Sequence, residues 1–336
     1  MKNSTRTAYL AFCVQIATLN SVESAETKFT VSPTIQQKLE TKMQESSDFL
    51  KRINIVPVEE QEGEKLGLGI NTPIAGTTDT TKKDREPIDP TNMDAHGYKC
   101  TQTNFDTVVR YAKLDMWAKF KDFQTRMRDA IVKRQALDRI MIGFNGTSRA
   151  ASSDRALNPL LQDVNIGWLE KIRQYAPERH MSEVVETSGK IVVGKAADYE
   201  NLDALVYDMV NNMIEPWYQE DTELVVICGR KLLADKYFPI VNTEHAPSEQ
   251  LAADIVISQK RIGNLPAVRV PSFPANALFI TRLDNLSIYY QEGTRRRAII
   301  DNPKRDRIEN YESSNDAYVV EDYGCTAFAE NIELKG

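Results

Sequence analysis

The chain is poor in the residues that enzymes and metal proteins concentrate. Its 336 residues include three histidines, four cysteines and fifteen glycines. His96, His180 and His245 stand in polar surroundings, none beside a Ser or Cys in a nucleophile-elbow context. Cys13, Cys100, Cys228 and Cys325 are widely spaced, with no CxxC and no Cys/His cluster. That argues against a zinc or redox site and suits free thiols in a reducing compartment. The Asn-x-Ser/Thr triplets at Asn3, Asn145 and Asn285 are then chance matches. No HExxH, DxDxDG or GxSxG motif occurs, so no catalytic residue, metal ligand or cofactor is nominated. An excess of positive charge is missing too. With 42 Lys and Arg against 48 Asp and Glu, the net charge of −6 argues against a protein devoted to gripping nucleic acid. Long apolar runs are also absent. AYLAFCVQIATL, behind Lys2 and Arg6, imitates a signal peptide, but Gln15 interrupts it and it is too short to span a membrane. Tyr9, Phe12, Ile16 and Leu19 fall at helical spacing, so the segment reads as an amphipathic helix that binds a partner or folds back.

What remains is an ordinary globular composition, 41% hydrophobic and 27% charged, which argues against wholesale disorder. The length favours two or three subdomains. After the polar joint Ser21–Lys28, a helix is expected over Thr34–Arg52. INIVPV reads as a strand, EEQEGEKLGLGI as a glycine-punctuated hairpin, and YKCTQTNFDTVVRY as a returning strand beyond a long polar tip. Two strands around such a tip describe an extended arm that buries little by itself and lies on another chain. Asp115–Gly143 carries the strongest helical pattern, with Trp117, Phe120, Phe123, Met127, Ile131, Leu137 and Met141 as its apolar stripe. Further helices are expected around Trp168–Tyr175 and Leu202–Ile214, and a buried strand at Glu223–Gly229.

Two stretches imitate nucleotide sites. GKIVVGKAAD (Gly189–Asp198) has the G-x-x-x-x-G-K spacing of a phosphate loop. Ala196 stands where a hydroxyl should reach magnesium, and KIVV is strand-forming, so a strand edge and turn is the better reading. LVVICGRKLL has a single glycine where a dinucleotide fold needs three.

Long strings of the chain resemble the major capsid proteins of P2-like temperate tailed phages (peduoviruses). They are FTVSPTIQQKLETKMQESSDFLKRINIVPVEEQEGEKLGLGI, DMWAKFKDFQTRMRDAIVKRQALDRIMIGFNG, IEPWYQEDTELVVICGRKLLADKYFPIVN and ISQKRIGNLPAVRVPSFPANALFITRLDNLSIYYQEGTRRR. The resemblance runs in order from about Phe29 to Glu333. It implies an α+β HK97-like capsid fold, divided as an N-terminal assembly segment (1–30), an N-arm (31–52) and an extended hairpin or E-loop (53–111). A peripheral domain (112–194, spine helix 115–143), an axial domain (195–270) and a return to the peripheral sheet (271–336) would follow. The implied function is a shell subunit forming hexamers and pentamers of an icosahedral head around double-stranded DNA, without sequence-specific binding and without a membrane. The implied partners are copies of itself, an internal scaffold and prohead protease, and a portal protein, with completion or decoration proteins as further candidates. The virion is the implied location, after assembly in the bacterial cytoplasm. In this family the N-terminal segment is removed during assembly, which places a cut near Ala25–Thr30. The competing readings are an encapsulin-like compartment shell and a soluble nucleotide-dependent enzyme built on Gly189–Lys195.

Residues for subunit contacts can also be nominated. LSIYY and RRRAII around Gln291–Thr294 read as a hairpin with Gly293 in the turn, putting Arg295 and Arg297 on one side and Arg296 on the other. They cannot form a single phosphate clamp, and are expected to meet acidic residues of an adjacent subunit's arm, such as Glu59, Glu60 and Glu62. Lys82 and Lys83 sit at the arm's tip. They imitate donors for the Lys–Asn isopeptide bonds of some shells of this fold, but no partner is identifiable, so they read as solvated or salt-bridged contact residues.

Overall fold

The computed structural model describes residues 1–65, 69–70, 75–87, 91–92, 96–117, 123–233 and 261–335. Its spine is a 14-residue strand, Arg307–Val320, at the centre of a seven-stranded sheet. Along one side it pairs antiparallel with Thr101–Asn104 and Thr107–Arg110. Along the other it pairs with Leu286–Gln291 near one end and Arg296–Asn302 near the other. The strands Asn54–Val58 and Phe29–Thr30 extend the sheet beyond these two.

This pairing corrects the expected hairpin around Gly293. Leu286–Gln291 and Arg296–Asn302 are both antiparallel to the same partner, so they run in the same direction and cannot fold onto each other. They form one long strand with an excursion, in which Gln291–Arg295 stand opposite just Ser314 and Asn315. Gly293 supplies the left-handed backbone there (φ 68°). The tight reversal comes later, at Pro303–Arg305, with Asp306 left-handed at φ 49°.

Successive residues of the central strand face opposite ways. Tyr318 and Val320 join Ile288, Leu286 and Trp168 in the main core. Ala317 and Val319 face the other way, where Tyr98 and Cys100 cover them. Helix α1 (Asn3–Leu19) folds back onto the far end of the sheet, burying Tyr9, Cys13 and Ile16 against Tyr111, Leu114, Ile299 and Ile308. Leu19, expected on its buried side, is 55% exposed. Helix α2 is Pro33–Glu45, shorter than expected, with proline at its first turn, where a missing N–H costs nothing. The long helix is described in two parts, α3 (Tyr111–Trp117) and α4 (Phe123–Asn145). Residues 118–122, inside the expected single spine helix, lie outside the described residues. The face that α4 buries is rotated from the expected stripe: Val132, Gln135, Ala136, Arg139 and Ile140 point inward, whereas Ile131, Leu137 and Met141 are half-buried. The reason is polar burial, since two inward positions are taken by Gln135 and Arg139. At its end α4 meets α5 (Trp168–Tyr175) so closely that a side-chain carbon on Gly143 would sit 2.2 Å from the Trp168 ring.

A second, six-stranded sheet places Leu224–Cys228 between Leu265–Val268 and Leu278–Arg282, followed by Ala327–Ala329 and His180–Met181. Helix α6 (Leu202–Met213) packs on it through Leu205, Val206 and Met209, and Asn201 caps it by accepting from the Ala204 N–H at 2.9 Å. This sheet draws on residues outside the expected axial span 195–270. Leu278–Arg282 and Ala327–Ala329 were expected to return to the peripheral sheet, and His180–Met181 to belong with the spine helix. Strand pairing overrides chain position here: Leu224–Cys228 takes one partner, Leu265–Val268, from within that span and the other, Leu278–Arg282, from outside it. The arm strands pair across the long loop, Glu62–Gly63 with Tyr98–Lys99 and Gly69–Ile70 with Thr91–Asn92. The Gly-rich segment Glu59–Ile70 is therefore not a hairpin on itself.

Candidate assembly surfaces and their buried anchor

The middle of the central strand carries neither core nor solvent-facing residues on its inner face, but Glu312, Ser314 and Asp316, all buried. They meet two guanidiniums that are almost completely enclosed, Arg139 of α4 and Arg295 of the excursion. Arg295 donates to Glu312 through Nε at 2.9 Å and Nη2 at 2.5 Å, to Glu40 through Nη1 at 2.9 Å, and to the Gln135 amide oxygen at 2.9 Å. Arg139 donates to both Asp316 oxygens, at 2.9 and 3.1 Å, and forms an ion pair with Glu40. Gln135 closes the circuit by donating to Glu312 at 3.0 Å. Burial opposes the charge on Arg139, but Asp316 and Glu40 outweigh it and raise its pKa. Burial also pushes the Asp316 carboxyl above its ordinary value. For Glu312 burial acts in the same sense, yet Arg295 and Arg297 prevail and hold it low.

Because Glu40 lies on α2, the network fastens the N-terminal arm to the long helix and the sheet at once. A second stitch is Gln36, whose amide donates to the Gln291 carbonyl and accepts from the Gly293 N–H, each at 3.1 Å. The sequence reading missed these residues. The available signals were Arg139 among the apolar residues of ALDRIMIG, and the alternation Glu312, Ser314, Asp316 inside a strand.

The nominated arginines divide. Arg295 is 1% exposed and engaged inside its own chain, so its expected contact with a neighbouring subunit is corrected: desolvation this complete leaves nothing for a partner to touch. Arg297 is half-buried and donates to Asn310 at 2.8 Å, while Arg296 faces solvent. On the arm, Glu59 and Glu60 are exposed, and Glu62 is ion-paired with Lys99 across the arm. Lys82 and Lys83 are exposed, and Lys82 lies 3.3 Å from Asp79. At the arm's root, His96 stacks on Tyr175 with ring centres 4.2 Å apart, and the Lys65 ammonium sits 4.3 Å from the centre of the Tyr323 ring. Gly189–Lys195 forms a strand, Ile191–Gly194, paired parallel with Ile332–Lys335, followed by a turn instead of a phosphate cradle. His180 is in the short strand His180–Met181, with Nε2 2.8 Å from Glu330 and its ring stacked on Phe328. His245 lies outside the described residues.

Residues 8–332 match the family model described as phage major capsid protein, P2 family. The chain belongs to that family. The capsid protein of Escherichia phage P2 is 56% identical over 342 residues, with 99% of this chain and 96% of the relative covered. The major capsid protein of Serratia phage KSP20 is 42% identical over 341 residues, covering 99% and 97%. A solved satellite phage P4 procapsid, which includes a size determination protein, superimposes with a TM-score of 0.84 at 55% identity, covering 100% of this chain and 99% of that one. The fold is therefore the α+β HK97-like capsid fold, and the chain is a phage major capsid protein.

In that setting the N-terminal geometry is informative. The Phe29–Thr30 strand is held in the sheet against Arg296 and Arg297, and the Ala25 carbonyl accepts from the Ile299 N–H at 2.9 Å. Between these two anchors Glu26, Thr27 and Lys28 are exposed. Among the described residues no helix is long and apolar enough to cross a membrane.

Proposed function

We propose that this capsid protein works by geometry and by many modest contacts, without a catalytic step, as the repeating subunit of hexamers and pentamers in a closed head. The observation supporting this most strongly is the buried Glu40–Arg139–Arg295–Glu312–Asp316 anchor, which makes arm, long helix and sheet one oriented unit. A rigid unit suits a shell, where each copy must present several surfaces at fixed angles and heterologous contacts must close around five- and six-fold axes. Arg296, Glu59, Glu60, Glu62, Lys82 and Lys83 remain as candidate contacts between copies, being exposed or at the arm. The N-terminal segment is proposed to serve an internal scaffold and then be cut by a prohead protease within the exposed Glu26–Lys28 stretch. That interval supports the expected cut because it is accessible while both its flanks are held. A portal protein and completion or decoration proteins complete the proposed partners. As in the P4 procapsid, the shell is proposed to admit a protein that sets its size.

Negative-stain microscopy of the chain expressed with its scaffold tests the reading. Closed shells or ring-shaped capsomers are expected, and discrete monomers that hydrolyse ATP would overturn it. Intact mass of mature particles should show loss of roughly the first 27 residues; the full chain there would remove the processing step.

A further inference from the structure

The free edge of the seven-stranded sheet has no assigned role. Thr101–Asn104 and Thr107–Arg110 keep one unbroken register along the central strand, from Thr101 opposite Asp316 to Arg110 opposite Arg307. Among the described residues, no strand pairs with their other side. The direction of the backbone groups follows from two bonds: Phe105 donates to the Glu312 carbonyl at 2.7 Å and Tyr111 to the Asp306 carbonyl at 2.9 Å. Odd-numbered residues thus face the central strand, and even-numbered ones turn N–H and C=O outward. The outward Gln102 carbonyl accepts from Arg149 at 2.6 Å. The outward backbone groups of Asn104, Asp106 and Val108 are left open among the described residues.

Exposed edges are normally blunted by proline, a bulge, shortness or a covering element. This one has no proline: two four-residue strands share one register, interrupted at Phe105–Asp106, where the Glu312 N–H turns to the Asp106 side chain at 3.2 Å, and together they span roughly 33 Å at about 3.3 Å per residue. It also forms one wall of a groove of about 930 Å³. Eight consecutive residues, Gln102–Val109, line that wall, so the groove follows the backbone edge and not one face of the sheet. Helix α4 and the loop carrying Arg149, Arg155 and Asp163 form the rest. Within the loop, Asp163 is 8% exposed; its Oδ2 accepts from the Asp154 N–H at 2.7 Å while its Oδ1 has no hydrogen-bond partner.

We propose that this groove receives an extended segment of a second copy of the chain, which adds a strand to the sheet. Main-chain hydrogen bonds to Asn104, Asp106 and Val108 would hold it. A second copy fits better than a highly charged ligand, because the lining mixes Lys113, Arg134 and Arg155 with Asp106 and Asp138, as the chain itself mixes 42 basic with 48 acidic residues. The inference rests on the shell reading, in which many copies meet.

Hydrogen exchange of wild-type subunits, free and in shells, tests it. The amides of Asn104, Asp106 and Val108 should exchange at least tenfold more slowly in shells, while those of Phe105 and Val109 are slow in both. Val108→Pro deletes one outward donor and no rung of the ladder to the central strand, so it should fold, as read by circular dichroism, yet assemble poorly. Asn104→Cys carrying a photoreactive maleimide, in shells mixed from ¹⁴N and ¹⁵N copies, should give mixed-isotope cross-links between subunits. Shells that form normally while the edge amides exchange as fast as in free subunits would overturn the inference and leave the shell function standing. Cross-links solely to a different protein of the particle would overturn the second-copy assignment. Failure of wild-type chains to form shells would instead sink the proposed function.

Discussion

Replacing Arg295 by methionine isolates the buried anchor. The substitution keeps a long apolar stem in the same space but removes four hydrogen bonds, two to Glu312, one to Glu40 and one to Gln135. Three enclosed carboxylates, Glu40, Glu312 and Asp316, would then share the single enclosed guanidinium of Arg139. Breaking a buried pair from one side costs ~3–5 kcal/mol, because the stranded charge keeps its desolvation penalty. At about 2 °C per kcal/mol for a large domain, Tm should fall by roughly 6–10 °C. The assay is thermal and urea unfolding of the unassembled subunit, with the exposed neighbour Arg296→Ala as control, expected within about 0.5 kcal/mol of wild type. A double variant Arg295→Met with Glu312→Gln should recover part of the loss, since it removes one stranded charge. If Arg295→Met cost no more than Arg296→Ala, the enclosed network would not exist in solution, and arm, helix and sheet would not be held as one unit by it.

Other outcomes follow from the packing and charge pairing elsewhere in the fold. Gly143→Ala should destabilise by about 1–3 kcal/mol in urea unfolding, because its added carbon would sit 2.2 Å from the Trp168 ring and force α4 and α5 apart. Glu330, bonded to Arg173 and His180, has its pKa lowered to about 2 although burial acts the other way. Its contribution is present above the ordinary value of 4.5 and lost as pH falls towards about 2, worth ~3 kcal/mol in full, so Glu330→Gln should flatten that part of the acid-unfolding curve. Burial first, and Lys65 second, lower the Lys171 pKa to about 8. The ammonium is therefore disfavoured in the folded state below that pH, so Lys171→Met should raise Tm at pH 7 and lose its advantage as pH rises through 8 to 10.5. Ile16→Ala should loosen α1 from its shelf on Ile299 and Ile308 by ~2–4 kcal/mol, seen as faster exchange of α1 amides and quicker proteolysis at Glu26–Lys28.

What could be read from the sequence depended on the range of the interaction that sets each feature. Helices α2, α5 and α6 and the strands at Asn54–Val58 and Leu224–Cys228 rest on local periodicity, a proline, or a capping asparagine, and those are written within a dozen residues. The excursion at Gly293 illustrates the opposite case. Two β-rich runs around a Gly–Thr pair carry a hairpin's local signature, yet the backbone groups a hairpin would pair are taken by the central strand Arg307–Val320, while Gln36, some 255 residues away, holds the Gln291 carbonyl and the Gly293 N–H. The tri-arginine failed for the same reason, because nothing adjacent to Arg295 announces that Glu40 and Glu312 close over it. Within residues 131–141 the expected Ile131, Leu137 and Met141 are half-buried while their neighbours are enclosed, because apolar counting cannot anticipate that Gln135 and Arg139 are inward residues. A charged residue set between apolar ones on a helix is therefore better treated as a candidate for burial opposite an acidic strand than as an interruption. In this chain that rule would have joined Arg139 to the alternating Glu312, Ser314 and Asp316, and so located the anchor on which the orientation of the arm depends.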